Sequence, residues 1–469
     1  MRAPRTTGRS TRPPPKFVTG SILRHILVMT GTGAMGLVSI FVSDLANMLF
    51  LSWLGDEAVV AAVGYASSIL FFTIAIGIGL SIAATSLVSP AIGAGRRVRA
   101  RRLAVNAHLA TLVVASVIGV AVWLLIGPLL ALLGATGHAK DLATGYLRII
   151  VPSMPMLALA ITSAAVLRSV GDPRRAMNVT LIVAIVNVLL DPLFIFGLGL
   201  GIRGAAIATT IARLASMLVG LYGVIRVHDL LGRPKLRPFL ADLPALTAIA
   251  IPAILTNIAS PVANAYVTAA IAPHGDSAVA GWAIIGRIIP VAFGAIYALS
   301  GSIGPILGQN WGAGEIGRMR LAFTNALWVT AAFTAAAWAV LAIAAWPLAN
   351  LFKSTGEAAS LIVLFCRWLA PLFVFLGVLF VANAALNTLG RPRTSTVLNW
   401  GRATLGTIPF VYAGGALAGA HGVLTGYMLG GVAFGLLAIW LTYRLMDELG
   451  APKQKRHAPA TDPVETAID

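Results

Sequence analysis

The sequence predicts an all-α integral membrane fold: twelve transmembrane helices in two six-helix bundles related by an internal parallel repeat. Three observations carry that expectation. They are an apolar composition, twelve long apolar runs, and a self-match of the chain at an offset of 219 residues.

Of the 469 residues, 58% are hydrophobic and only 11% charged. So little polar surface cannot cover a soluble globule of this length. A bilayer-spanning helix needs about 20 apolar residues, and the runs match that length, not the short alternating segments of a membrane barrel. Six spans are expected at Ile26 to Trp53, Ala58 to Ile92, Leu103 to Leu133, Leu142 to Leu167, Met177 to Leu200 and Gly204 to Val227. Six more follow at Leu246 to Ile271, Val279 to Leu307, Leu321 to Leu351, Ala359 to Leu389, Ser395 to Ala418 and Val423 to Leu445. Gly77, Gly79, Pro152 and Pro155 are the expected bend points, because membrane helices tolerate such breaks where neighbours satisfy the freed backbone groups.

The net charge of +18 is explained by topology and not by nucleic-acid binding. Basic residues cluster in alternate connections: Arg2 to Lys16, Arg96 to Arg102, Arg174 with Arg175, Arg233 to Arg237, Arg318 with Arg320, and Arg391 with Arg393. The intervening loops carry little positive charge, which is the positive-inside pattern. It places both termini in the cytoplasm and the chain in the cell (inner) membrane, with lipid as its surroundings and a monomer expected. The first apolar run is far longer than the 7 to 15 residues of a signal core, so no cleavable signal is expected. Cys366 is the single cysteine, which excludes a disulfide framework or a thiolate metal cluster, and no cofactor is expected.

The repeat is specific. Gly93 and Gly95 recur as Gly312 and Gly314, Asn106 as Asn325, Arg148 as Arg367, Pro152 as Pro371, and Gly171, Pro173 and Arg174 as Gly390, Pro392 and Arg393. Six spans per unit is an even number, so both units enter from one side and face each other across a central cleft about an axis along the membrane normal. The expected organisation is a basic tail over 1–21, a first bundle over 22–228, a linker over 229–243, a second bundle over 244–446 and a tail over 447–469.

Two carboxylates, Asp44 and Asp191, lie deep inside apolar segments, and neither is reproduced in the second unit: a shift of 220 takes Asp44 to Asn264, and Asp191 falls near Pro409 and Phe410. A charge at bilayer depth costs several kcal/mol unless it is paired or neutralised, so such residues mark ion, proton or substrate pathways. Asn47 shares a helical face with Asp44, and Asn187 with Asp191. Thr209 and Thr210 supply further oxygens. This set points to ion-coupled transport with the ion site in the first bundle. Arg213, Arg287, Arg367 and Arg402 also lie in or near spans, where pairing with charges or with broken helix turns is their expected role. No nucleophile motif, His/Asp pair or metal-ligand cluster within the spans suggests an enzyme.

The segments Asn187 to Gly197, Gly204 to Thr209 and Gly308 to Gly314 resemble the multidrug and toxic compound extrusion (MATE) family, in its DinF-like branch, and the resemblance extends over nearly all of Ile22 to Arg444. It implies an antiporter of bulky, often cationic organic compounds or drugs, driven by inward protons or sodium. It also implies that Asn187, Asp191 and Thr209 form the ion site with an aspartate of the first span, sodium being held by Asp44, Asn187, Asp191 and Thr209 where that is the ion. In the family pattern that first-span aspartate stands where this chain has Asn47, and Asp44 lies one turn earlier, so Asp and Asn are exchanged here. The alternative function is a flippase of lipid-linked precursors, which the in-membrane arginines keep open.

Overall fold

The computed structural model describes residues 15–451. Among them every regular element is helical. The long apolar segments are α1 (Ile22–Ser52), α2 (Glu57–Gly93), α3 (Arg97–Leu124), α4 (Gly137–Ser169), α5 (Pro173–Gly197) and α6 (Gly201–Val227). They continue with α7 (Leu236–His274), α8 (Asp276–Ala292 with Gly294–Gly312, bent by 50°), α9 (Ile316–Leu351), α10 (Gly356–Thr388) and α11 (Pro392–Gly450). Large apolar side chains stand exposed around them, such as Ile343 at 83% and Leu132 at 84%. On a chain of this composition such a surface faces lipid, and the protein is a multi-pass membrane protein.

The 59-residue α11 is not one rod. Ala418 and Gly419 leave helical geometry, with φ of +58° at Gly419. The chain folds back there, since a Cβ on Gly422, Gly426 or Gly430 would strike the carbonyl of Gly414, Phe410 or Gly406 respectively. Each step of four along one arm is matched by a step of four back along the other, so α11 is an antiparallel helical hairpin packed through glycine. The predicted spans from Ser395 and from Val423 correspond to its two arms.

The offset of 219 is also written in the backbone. Helices begin at Arg97 and Ile316, at Gly137 and Gly356, and at Pro173 and Pro392. Tight three-residue turns at Val151–Ser153 and Ala370–Leu372 interrupt α4 and α10 at equivalent points. Positive-φ glycines close equivalent turns, Gly95 with Gly314 and Gly171 with Gly390, where a side chain would be strained.

The structure departs from the expected bends and boundaries in three places. Pro152 does lie in a break, but α2 runs unbroken through Gly77 and Gly79. Gly79 instead admits α7, since a Cβ there would meet the Ile254 backbone nitrogen at 2.9 Å. The segment expected to be a linker up to residue 243 is already helical from Leu236, because Pro238 sits in the first turn, where a missing N–H costs no helix bond. The described end of the expected N-terminal tail packs against the bundles, with Phe17 only 1% exposed; residues 1–14 and 452–469 of the two expected tails lie outside the described residues.

Hydrogen bonds between residues before and after position 229 gather toward the arginine-rich end. Gln309, fully buried, accepts from the Phe17 N–H at 2.9 Å and donates to the Ser169 carbonyl at 2.7 Å. Ser302 donates to the Met29 carbonyl at 3.1 Å. Asp242, 7% exposed, accepts from Arg102 at 2.8 and 3.0 Å and from Asn106 at 2.7 Å. A buried carboxylate is tolerated when its lone pairs are filled in this way.

Candidate functional site

The site is set by how α1 lies on α5. The two helices run parallel, and at their close approach a Cβ on Gly36 would collide with Thr180 Oγ1. Eleven residues is three helical turns, so a position 11 residues further along each helix returns to the same facing surface. Those positions are Asn47 and Asp191, and there Asn47 Nδ2 donates to Asp191 Oδ2 at 2.9 Å. Asp191 is 1% exposed.

One turn back along each helix lie Ser43 and Asn187, 2% and 6% exposed. Three buried oxygens of this surface have no hydrogen-bond partner: Ser43 Oγ, Asn187 Oδ1 and Asp191 Oδ1. An unsatisfied buried polar atom costs about 1–3 kcal/mol, so three on one interhelical surface make it the candidate site. Carboxylate and amide oxygens offer only acceptors. Acceptors of this kind are completed by a hydrogen-bond donor, a proton or a cation. Among the described residues no group of three His, Cys, Asp or Glu side chains forms a site for a bound transition metal.

Arg213 of α6 is 6% exposed and donates to Ser153 Oγ at 3.0 Å and to the Ile150 carbonyl at 3.4 Å. It therefore satisfies the break in α4, the kink-bonding role that the sequence suggests for such an arginine. Its charge is also within electrostatic reach of Asp44 and of the Tyr146 phenol.

The structure thus brings together three of the five residues singled out in sequence: Asn47, Asn187 and Asp191. Asp44 is exposed and makes no side-chain hydrogen bond, facing the field of Arg213 instead of Asp191. Thr209 is half-buried and unbonded, while Thr210 donates to the Ala206 carbonyl of its own helix at 2.9 Å. Ser43 was missed. The signal that finds it is its spacing, one turn before Asn47 on the same face.

A family model described as MatE matches residues 34–193 and 252–413, which takes in the α1–α5 surface and its counterpart in the second half. The chain belongs to the MATE family of membrane transporters. Among its relatives, the FAD transporter of Shewanella oneidensis is 30% identical over 93% of this chain and 97% of its own length. The multidrug export protein MepA of Staphylococcus haemolyticus is 22% identical over 93% of this chain and 97% of its own length. Among solved structures, the Vibrio cholerae MATE transporter VcmN in the bent form superposes with a TM-score of 0.86 at 26% identity, covering 91% of this chain and 98% of that one. The transporter assignment, the multi-pass helical architecture and the family resemblance of the sequence agree with these matches.

Proposed function

We propose that this MATE transporter is a secondary antiporter that moves organic molecules out of the cell against an inward flow of protons or sodium. One observation carries the reading: Asp191 is buried, bonded through one oxygen to Asn47, and left with its other oxygen unsatisfied beside those of Asn187 and Ser43. An ion or proton entering this surface completes the acceptors and draws α1 toward α5; its departure leaves the surface uncompensated. Binding is thereby linked to the packing of the first bundle, which is the lever a rocking mechanism requires. Across the membrane potential each inward charge contributes ~2.3 kcal/mol per 100 mV.

The arginine-rich end is assigned to the cytoplasm and the opposite end to the outside. With the bonds between the halves gathered toward the arginine-rich end, the central cleft is proposed to open outward in this conformation. The Asp44 carboxylate, exposed toward Arg213, is proposed as a secondary contributor to coupling, and Thr209 as an ion contact made when α6 moves. The bundles are proposed to span 22–228 and 244–446 with the helix from Leu236 leading into the second, and the working unit to be a monomer. The names of the relatives suggest two cargo classes, drugs and a flavin nucleotide. The flippase reading loses Arg213 as a free cation, because Ser153 and the α4 break occupy it.

The test is transport in proteoliposomes with a pH gradient and a sodium gradient imposed separately. The expected result is efflux driven by one of them and abolished by Asp191→Asn. Undiminished efflux in that variant, still driven by the same gradient, would refute the coupling role.

A further inference from the structure

The second half carries a buried cation that no carboxylate pairs among the described residues. Arg402, in the first arm of α11, is 2% exposed. Its Nη2 donates to Ser260 Oγ at 3.3 Å, its Nε has no partner, and no carboxylate pairs with it among the described residues. Ten residues beyond Pro392, it lies about 15 Å into the membrane at 1.5 Å per residue. Among the described residues every acid after Asp191 is remote from that depth: Asp229, Asp242, Asp276, Glu315, Glu357, Asp447 and Glu448 sit in connections or at helix ends. A buried guanidinium with a free N–H and no counter-charge is costly unless something anionic completes it.

Its surroundings are aromatic and lead to an exposed residue. The guanidinium stands 6.0 Å from the Tyr427 ring centre, and Trp282 meets the same ring edge-on at 5.6 Å. The Tyr427 hydroxyl donates to Asn264 Oδ1 at 3.2 Å, and Asn264 is exposed. Asn264 is the repeat counterpart of Asp44, Phe410 that of Asp191, and Val183 that of Arg402, by shifts of 220, 219 and 219. Arg402 thus has no charged counterpart in the first bundle, and it stands eight residues before Phe410, the counterpart of Asp191.

The geometry points to an anion subsite at Arg402, Ser260, Tyr427 and Asn264 that takes the phosphate or carboxylate of a planar aromatic substrate. Arg402 supplies the paired charge, Tyr427 and Trp282 the aromatic wall, and Asn264 the entry contact. Access requires Ser260 to yield its bond to Arg402, which a charged acceptor does because guanidinium bonds to anions are stronger than bonds to a neutral hydroxyl. This assignment names a cargo class and rests on the transporter reading, but binding tests it separately from ion coupling.

Full-length protein in zwitterionic-lipid nanodiscs is titrated with flavin mononucleotide and with riboflavin, which differ by one phosphate, following flavin fluorescence, with inorganic phosphate and anionic-lipid nanodiscs as further arms. Wild type is expected to prefer the mononucleotide by about tenfold or more, the worth of a hydrogen bond to a charged group. Arg402→Gln is expected to abolish the preference while riboflavin binding persists, Arg402→Lys to keep part of it, and Tyr427→Phe to weaken both flavins. No phosphate preference in wild type, including no binding of either flavin, overturns the proposal, as does an unchanged preference in Arg402→Gln. Should that variant not fold, a reduced preference in Arg402→Lys supports the subsite and an undiminished one overturns it. Competition by inorganic phosphate as strong as by the mononucleotide, or loss of the preference in anionic lipid, overturns the aromatic or the soluble character of the ligand. Retained preference in Asp191→Asn with failed coupling separates this site from the antiport reading.

Discussion

Gly93 and Gly312 make the same contact from opposite sides of the molecule. A Cβ on Gly93 would collide with the carbonyl of Gln309, and one on Gly312 with the carbonyl of Pro90. Since 93 and 312 differ by 219, as do 90 and 309, the contact is its own image under the repeat. It is how two like-oriented halves meet about a twofold axis, and it adds a backbone approach to the side-chain bonds at the arginine-rich end.

Gly93→Ala and Gly312→Ala are therefore expected to be equally harmful, each lowering thermal stability of the solubilised protein by about 1–3 kcal/mol, the usual cost of overpacking a tight contact. Each should also loosen this end, read as greater cysteine labelling at Ser169→Cys. A large effect from one variant and none from the other would show that the contact is not shared symmetrically.

The turn between α4 and α5 provides a pH test outside the membrane. Burial alone would raise the Asp172 carboxyl, but hydrogen bonds from His228 at 2.9 Å and from Arg175 at 2.6 Å hold it well below the ordinary carboxylate range. A depressed folded value means stability that is present above the unfolded value, about 3.9, and is lost as pH falls through the folded one. Wild type should thus exceed Asp172→Asn in melting temperature at pH 7 and 5, with the gap narrowing only below about pH 4. A gap that narrows between pH 7 and 5 would contradict this.

Ser43→Ala removes one of the three unsatisfied oxygens without touching charge. Efflux in this variant is expected to need about tenfold more of the coupling ion, the scale of one bond to a charged group, with unchanged substrate binding. Wild-type ion dependence would remove Ser43 from the site.

Much of this was legible in sequence because it rests on hydropathy and register. The long apolar runs, the turn at Pro152, the pairing of Asn187 with Asp191 on one face and the 219-residue offset all reflect local periodicity. What stayed hidden depends on contacts between helices. Asp242 reads as a linker acid until Arg102 and Asn106 are seen to enclose it. Gly79 reads as a hinge until α7 is seen to pack against it. The choice between Asp44 and Asn47 depends on the rotation of α1, which the Gly36 and Thr180 approach fixes and no periodicity does.

That rotation makes the ordering of variants at the first bundle the sharpest test. Asn47 touches Asp191, and Asp44 does not. Asp191→Asn should abolish ion-coupled efflux because the only carboxylate on the surface is gone. Asn47→Ala should weaken it, since both Asp191 oxygens then lack a donor at a cost of about 1–3 kcal/mol. Asp44→Asn should be milder than either, leaving efflux dependent on the same gradient. In the double variant Asp44→Asn with Asn47→Asp, two carboxylates come into direct contact and must share a proton, so efflux should persist and depend more steeply on the pH gradient. If Asp44→Asn is as damaging as Asp191→Asn, the exposed carboxylate carries the ion after all, and α1 must turn by about a sixth of a full turn during transport to bring it to Asp191, because positions three apart differ by about 300°, about 60° short of a full turn.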